Sequence, residues 1–353
     1  MGRDPRKFTS RKVKDSLTAW AEHYRALVLE GTRQPDAIRK TLLHLQRFVI
    51  HMVEAYGHDR ASRWLPRDTT AWRDSLAVTL APSTVNGHLA SLSGFATWVQ
   101  TQAPELLAAG NPLRGIGELG LPPLEPHALT EPQVRSLKNL CDRLERFHQH
   151  KGRRRSGSPT LRAHSRPSRD RAIIYVLLST GLRRQELVSL DLEHLVPGEP
   201  SELRRVKVAR VRGVRGKARS QRTVFLSADA RTALADYLEG ERAGDADSQS
   251  RALFLSARGL PARSPDGRMS GRAINHLVAQ IGRWHDSEIE KPERRLGALR
   301  PHVLRHTFAY RLAKATGSDT YELERRLGHR SQRYLQRYTN PPEDVAAQYV
   351  EPL

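Results

Sequence analysis

Apolar residues recur at helical spacing through the first hundred residues of the chain. Four segments place them three or four positions apart, with charged and polar residues between. This spacing is typical of amphipathic helices that bury one face in a shared core. It predicts a small all-helical domain over residues 15–103. The four predicted helices are centred on residues 17–28, 38–52, 72–76 and 85–99.

The pattern changes twice in the rest of the chain. Residues 104–128 alternate prolines with glycines, which predicts a linker. Beyond it, residues 129–340 mix helical spacing with a two-residue alternation at 203–211 and a short run of β-branched and apolar residues at 223–226. These two segments predict antiparallel strands joined by a hairpin tip at 212–219. The patterning therefore predicts a mainly α protein with a small antiparallel β-sheet, in which an α+β domain follows the helical one.

Composition adds information mainly through charge. The 353 residues include 59 Lys and Arg against 38 Asp and Glu, a formal net charge of +21. Such an excess favours a polyanionic partner, of which double-stranded DNA is the obvious one. The single cysteine, Cys141, excludes intrachain disulfides and a cysteine-rich zinc site, and the fifteen histidines show no metal-ligand spacing. We therefore expect no metal and no other cofactor.

The termini and the longest apolar runs bear on location. Residues 1–14 are basic and lack an apolar stretch, so they predict a flexible basic arm and not a leader peptide. No apolar run approaches the roughly 20 residues that a membrane helix needs. We expect a cytoplasmic protein with no membrane partner, associated with the nucleoid when it is bound to DNA.

Basic and polar residues outside the apolar faces are candidates for DNA contact. They fall on the second and fourth predicted helices, in an acid-free run of basic residues at 151–169 that predicts a mobile loop, and at the hairpin tip. Charged outer faces are more often simply solvated, and contact with DNA phosphates is the alternative. The candidates are Arg39, Lys40, Arg47, Asn86, His88, Arg153, Arg154, Arg155, Arg212, Arg215 and Arg219.

One stretch near the C-terminus holds the largest group of candidate catalytic residues. His302, Arg305 and His306 lie at positions i, i+3 and i+4, so one helix face would present two imidazoles and a guanidinium. Arginine binds a phosphate through two donors, and histidine gives or takes a proton near neutral pH. His329 follows in an L-G-H motif, and Tyr338 comes nine residues after it. This helix face is suited to holding an anion.

Two further motifs lie upstream. The sequence T-G-L-R-x-x-E-L places Arg183 and Glu186 one helical turn apart, where the carboxylate would brace the arginine or form an ordinary surface ion pair. The basic hairpin tip supplies Lys217 just before the predicted return strand. Lys207 is the nearest alternative for the role of the hairpin lysine. It is predicted to lie in mid-strand with a solvated side chain.

These motifs, in this order and spacing, resemble those of the tyrosine recombinase (phage integrase) family. The resemblance implies that residues 15–103 form a core-binding domain that clamps DNA and that 129–340 form the catalytic domain. The tail, residues 341–353, predicts a short helix that either folds back on its own subunit or docks on a neighbour. The resemblance favours docking on the neighbouring subunit of a homo-tetramer on paired sites, with a monomer or weak oligomer free of DNA and accessory DNA-binding proteins as possible further partners. Glu186 and His306 would support the catalytic residues. The positions that match the family's catalytic set are Arg183, Lys217, His302, Arg305, His329 and Tyr338.

Such a set can break and rejoin a phosphodiester. A tyrosine hydroxyl, with a free pKa of about 10, needs a basic pocket to attack at neutral pH. Two arginines would neutralise charge that grows on the non-bridging oxygens, and a lysine would protonate the departing 5′-oxygen. The resemblance implies a covalent 3′-phosphotyrosyl intermediate, followed by attack of a partner 5′-hydroxyl, without ATP or metal.

Two other functions use similar residues. A type IB topoisomerase shares this kind of site, although its tyrosine usually lies farther from the histidine motif than in this chain. A DNA-binding regulator would use the charged residues only to grip phosphates. Strand cleavage would separate the regulator from the two enzymes, and recombination between two sites would separate those enzymes from each other. The sequence favours a site-specific DNA recombinase that acts in integration, excision, transposition or resolution.

Overall fold

The chain folds into two compact units, Met1–Pro123 and Leu124–Leu353. The first unit buries one apolar cluster, and the second buries a large cluster and a small one. The structure, a computed structural model, describes residues 15–121, 128–148, 164–215, 221–260 and 263–328.

The first unit packs four helices around an aromatic core. A proline occupies the first turn of the second, third and fourth helices, where its missing N–H costs no hydrogen bond. Phe48 meets Trp72 edge to face with ring centroids 5.1 Å apart, and Tyr24 meets Phe95 in the same way at 5.5 Å. The helices are α1 Leu17–Tyr24, α2 Pro35–Tyr56, α3 Pro66–Ala77 and α4 Pro82–Gln102.

The segment after α4 belongs to this core, which corrects the predicted start of the linker. Leu107 and Leu113 are buried against the four helices. Asn86, on α4, exchanges two hydrogen bonds of 2.9 Å with the backbone N–H and C=O of Leu119. Residues 104–119 are therefore part of the helical unit, because the apolar residues between the prolines and glycines are buried in its core.

Two buried histidines stack between α2 and α4. The rings of His44 and His88 lie 3.8 Å apart at an interplanar angle of 23°. His44 hydrogen-bonds to Ser91 Oγ at 2.8 Å, and His88 Nδ1 bonds to the carbonyl of Thr84 at 2.8 Å. Burial, the neighbouring His88 and the charge of Lys40 lower the pKa of His44 to about 4, and burial lowers the pKa of His88 as well. Both rings are therefore neutral at pH 7.

This pair predicts that the first unit loses stability in mild acid. The pKa of His44 in the folded unit lies below its ordinary value of 6.5, so the unfolded chain binds the extra proton. Stability is complete above about pH 6.5 and falls towards pH 4, by an amount on the order of 1 to 3 kcal/mol. Tryptophan fluorescence should report this loss, because four of the five tryptophans lie in the first unit.

The control is His44→Gln, which keeps an amide opposite Ser91 but cannot bind the proton. It should flatten the dependence of the melting temperature on pH between about pH 7 and about pH 5. An unchanged dependence in this variant would show that other groups cause the acid sensitivity.

The described α-helices of the second unit with five or more residues are α5 Glu131–Cys141, α6 Pro167–Thr180, α7 Arg184–Val188, α8 Pro200–Arg205, α9 Ala228–Tyr237, α10 Gly271–Glu288, α11 Pro301–Ala315 and α12 Thr320–Leu327. The unit is built around α6, which is buried along most of its length. Helices α9 and α11 pack against α6, and α10 packs against α5 and α7. Thr130 caps α5 and Ser270 caps α10, each with its side-chain oxygen accepting a backbone N–H of the first turn.

Three antiparallel strands form one small sheet in the order β1-β2-β3. They are β1 Leu195–Val196, β2 Ala209–Arg215 and β3 Gln221–Leu226. The first predicted strand, 203–211, begins too early, since Leu203 is buried in α8 and β2 begins at Ala209. Gly213, expected in the hairpin tip, lies within β2 at a register shift between Val211 and Val214, where its φ of +65° suits glycine. The mainly helical fold with a small antiparallel sheet confirms the predicted fold class.

The last residues of the predicted mobile loop at 151–169 belong to the folded unit. Residues 149–163 lie outside the described part of the chain, and Pro167 begins α6. Arg166 donates to both carboxylate oxygens of the buried Asp245 at 2.6 Å, and Arg169 pairs with Asp170 at 2.8 Å. These two arginines are engaged within the fold, which corrects their assignment to a mobile loop.

Candidate active site

The turn between α6 and α7 sets the direction of Arg183. Gly181 ends α6 in the left-handed conformation at φ +60°, and its Cα lies against Phe308 of α11. A Cβ at this position would come within 2.3 Å of Cδ1 of that ring, so only glycine fits. Arg183 then occupies the N-cap of α7, and Glu186 sits at its third position. The T-G-L-R-x-x-E motif therefore builds a sharp turn that opens a short helix.

The Glu186 carboxylate is the centre of the charged cluster. It accepts the backbone N–H of Arg183 at 2.7 Å and Nη1 of the same residue at 2.9 Å. From β3, Arg222 donates Nη1 and Nη2 to its two oxygens at 2.8 and 2.7 Å. Burial alone would raise the pKa of Glu186, but the hydrogen bonds and charges of Arg222 and Arg183 lower it to about 2. The carboxylate is thus ionised, and both of its oxygens accept hydrogen bonds from Arg183 and Arg222.

Arg305 enters the same cluster from α11. Its side chain is 3 % exposed, and Nη1 lies 3.9 Å from Glu186 Oε2. Nη1 donates to the carbonyl of Gly181, and Nη2 donates to the carbonyl of Leu327 at 2.7 Å. The guanidinium is therefore oriented by two backbone segments that are far apart in the sequence. A buried cation held in this way is preorganised, which is what stabilisation of a developing anion requires.

Three consecutive carbonyls at the end of α12 each accept from a different arginine. Arg222 Nε bonds to the carbonyl of Arg326 at 2.9 Å, Arg305 to that of Leu327, and Arg183 Nη2 to that of Gly328 at 3.3 Å. The last carbonyls of a helix lack partners within the helix and carry its negative dipole end, so cations stabilise them. The cluster thereby fixes the backbone immediately before residue 329.

The two histidines of α11 lie beside this cluster. The rings of His302 and His306 are 6.4 Å apart, and the ring of His302 is exposed. Partial desolvation and the positive charges of Arg305, Arg183 and Arg184 lower the pKa of His302 below its ordinary value. A neutral imidazole next to two arginines can accept a proton at pH 7.

Comparison with known proteins identifies the class of this site. The sequence model of the phage integrase family matches residues 133–344. The chain belongs to that family. It is a tyrosine-type DNA recombinase, an enzyme of site-specific DNA recombination, as its sequence motifs predicted.

Several curated tyrosine recombinases are similar along most of the chain. Tyrosine recombinase XerC 1 of Ralstonia nicotianae is 28 % identical over 347 residues, which cover 96 % of this chain and 87 % of that protein. XerC of Bifidobacterium longum subsp. infantis is 27 % identical, covering 82 % of this chain and 84 % of the relative. These relatives favour recombination over relaxation alone and over binding alone.

Solved structures share the fold at low sequence identity. XerH site-specific recombinase bound to its difH substrate superposes with a TM-score of 0.60 at 17 % identity, covering 95 % of this chain and 84 % of that chain. The Tn1549 transposon integrase in complex with transposon right end DNA gives 0.59 at 20 % identity, covering 96 % and 98 %. The architecture of this recombinase is therefore that of known recombinases and integrases.

Four of the predicted site residues come together in the described part of the recombinase. Arg183, Glu186 and Arg305 form the cluster, and His302 lies next to it. His306 is on the same helix, with its ring partly buried. The remaining three predicted catalytic residues lie outside the described residues; they are Lys217, His329 and Tyr338.

Sequence reasoning missed Arg222. It lies two residues before Val224 and four before Leu226, both buried, so the alternation of β3 turns all three towards the same side of the sheet. A charged residue on the buried face of a strand needs a partner, and that was the available signal.

The candidates for DNA contact divide by exposure. Arg39, Lys40 and Arg47 are exposed on α2, and Arg212 is exposed on β2. Arg39 also pairs with Asp36 at 2.6 Å. Five other candidates cannot be placed, since their side chains lie outside the described residues; they are Arg153, Arg154, Arg155, Arg215 and Arg219.

Two candidates for DNA contact are wrong. His88 is 1 % exposed and Asn86 8 %, because α4 is covered over a wider arc than one apolar face. Both side chains hold the helical unit together by the hydrogen bonds described above. On the first unit, Arg39, Lys40 and Arg47 therefore remain the candidates for DNA contact.

In the described part of the chain, no group of three or more His, Cys, Asp or Glu side chains is placed to hold a metal ion. No helix in that part of the chain is long and apolar enough to cross a membrane.

Proposed function

We propose that this recombinase cuts one DNA strand by attack of Tyr338 on a phosphodiester held by Arg183 and Arg305. The observation that carries the proposal is their convergence. The two guanidiniums come from α7 and α11, share the Glu186 carboxylate, and bind successive carbonyls at the end of α12. Three arginines against one carboxylate leave a net positive site, which suits the two non-bridging oxygens of a phosphate.

The proton transfers follow from the residues around this site. The lowered pKa of His302 leaves it neutral, so we assign it the role of accepting the proton of the tyrosine hydroxyl. His329 is next in sequence to Gly328, whose carbonyl Arg183 contacts, and we assign it a third hydrogen bond to the phosphate. Lys217 would protonate the departing 5′-oxygen. The product is a 3′-phosphotyrosyl link that a partner 5′-hydroxyl resolves.

The wider assembly is proposed on the same basis. We propose double-stranded DNA as the substrate, gripped in part by the exposed cations of α2 and β2 and by the basic residues at 153–155. Strand exchange needs two sites, so we propose a homo-tetramer in which the tail at 341–353 docks on the neighbouring subunit. Such a substrate would place the working enzyme on the nucleoid in the cytoplasm. Accessory DNA-binding proteins that set direction fit this scheme.

The role of Lys217 gives a direct chemical test. Lys217→Ala should slow strand cleavage by about 10² to 10⁴ while DNA binding stays nearly intact, because it removes only the proton donor. A substrate with a 5′-bridging phosphorothiolate should restore the rate, since sulfur leaves without a proton. The measurement is the rate of covalent protein–DNA adduct formation under single-turnover conditions.

Lys207 is the matched control for this test. It is exposed in a bend just before β2, and not in mid-strand as predicted. Lys207→Ala should cleave both substrates at the wild-type rate. If Lys217→Ala is not rescued by the sulfur substrate and Lys207→Ala is inactive, the proton donor is Lys207.

A further inference from the structure

Arg222 is a nearly buried arginine at the start of β3, outside the predicted catalytic set. Its side chain is 9 % exposed. All three nitrogen atoms of its guanidinium donate hydrogen bonds, Nη1 and Nη2 to the Glu186 oxygens and Nε to the carbonyl of Arg326. A planar guanidinium held at three points has one orientation, and it fixes the orientation of whatever it binds.

Arg222 binds the Glu186 carboxylate, which also orients Arg183. Each Glu186 oxygen accepts one hydrogen bond from Arg222 and one from Arg183, with all four distances between 2.7 and 2.9 Å. Removing Arg222 would leave both oxygens half-satisfied in a buried setting and free to turn towards Arg305, 3.9 Å away. The direction of the Arg183 guanidinium depends on which way that carboxylate faces.

Arg222 also contacts the segment that leads to residue 329. A Cβ at Gly328 would lie 3.2 Å from Nη1 of Arg222, so glycine permits the close approach. On the opposite face of β3, the guanidinium of Arg326 stacks 4.6 Å from the centre of the Phe225 ring. The hydrogen bond from Arg222 to the carbonyl of Arg326 and the stacking of Arg326 on Phe225 thus both join β3 to the end of α12.

We propose that Arg222 is a positioning residue for strand cleavage, which ties the β2–β3 hairpin to Glu186 and to the end of α12 and so aims Arg183 at the scissile phosphate. The proposal rests on the proposed function, in which Arg183 is a phosphate ligand. Arg222 itself does not touch the DNA in this account. Its contribution passes entirely through Glu186 and the carbonyl of Arg326.

The test measures single-turnover adduct formation on a nicked suicide substrate as DNA concentration is varied. Arg222→Gln should lower the maximal rate by about 10²-fold and change the half-saturating DNA concentration by less than about two-fold. Arg222→Lys should remain at least about ten-fold slow, because one ammonium cannot bridge both oxygens and a carbonyl. The matched control is Arg204→Gln, since Arg204 also bridges two carboxylates, Glu239 and Asp236, at 2.6 and 2.7 Å. It should cleave normally.

Coupling to Glu186 separates positioning from phosphate contact. If Arg222 acts through the carboxylate, Glu186→Gln combined with Arg222→Gln should cleave no more slowly than Glu186→Gln alone. The double variant removes both partners of a buried ion pair, so it should also be at least as heat-stable as either single variant. Multiplied rate losses in the double variant would mean that Arg222 acts directly on the DNA, and would overturn the proposal.

The pH profile adds a readout that loss of packing alone would not change. Arg183 of its own helix, Arg222 of β3 and Arg305 of α11 face the Glu186 carboxylate. Without Arg222 the pKa of Glu186 rises, so the acid limb of the cleavage rate should move to higher pH than in wild type. A uniform loss at every pH, or an Arg222→Gln rate within about two-fold of wild type, would contradict the positioning role. If wild type itself formed no adduct, the proposed function would fail instead.

Discussion

Arg305→Gln should reduce covalent adduct formation by about 10³-fold or more while leaving binding of the DNA site within a few-fold of wild type. The guanidinium is 3 % exposed and is held by the carbonyls of Gly181 and Leu327, so it meets the transition state without reorganising. A neutral amide keeps hydrogen-bonding capacity but removes the charge that offsets the growing negative charge on the phosphate. The loss should therefore appear in the maximal rate.

Stability has to be separated from chemistry in this variant, and the chain offers a matched control. Arg242 is a second buried arginine of the same unit, and its guanidinium donates to the carbonyls of Ser250, Ala252 and Leu253. Arg242→Gln should lower the melting temperature but cleave at the wild-type rate wherever it is folded. A cleavage rate for Arg305→Gln above about a tenth of the wild-type rate would show that Arg305 does not hold the scissile phosphate.

The local parts of the site were predictable from the sequence. The left-handed Gly181 and the pairing of Arg183 with Glu186 depend on residues within one turn of each other, and spacing alone indicates them. His302 and Arg305 share a helix in the same way. The confirmed fold class likewise follows from the periodicity of apolar positions.

The parts that depend on distant pairing were not predictable. Arg222 reaches Glu186 across 36 residues, and its partner is decided by how β3 lies against α7. Asn86 is a candidate for DNA contact by sequence because its partner, Leu119, lies 33 residues away in a segment predicted to be a linker. The sequence predicts a strand at Leu203 because a short alternation of apolar and basic residues does not reveal the helix that begins at Pro200.

Covalent attack by Tyr338 on the DNA phosphate defines the proposed mechanism. Tyr338→Phe keeps the aromatic ring and leaves the arginine cluster unchanged, but removes the attacking oxygen. This variant should bind its DNA site with normal affinity. It should form no adduct at all, because no other group in the proposed site replaces the nucleophile. Tyr334 is the matched control, since it lies five residues after His329 and not nine.

A nicked suicide substrate traps this covalent step, because the short fragment released by cleavage diffuses away and the intermediate accumulates. Wild type and Tyr334→Phe should each give a denaturant-resistant protein–DNA band, and Tyr338→Phe should give none. Digestion of the wild-type adduct should place the DNA on the peptide that contains Tyr338. A persistent adduct in Tyr338→Phe, or no adduct from wild type on its own site, would contradict the mechanism.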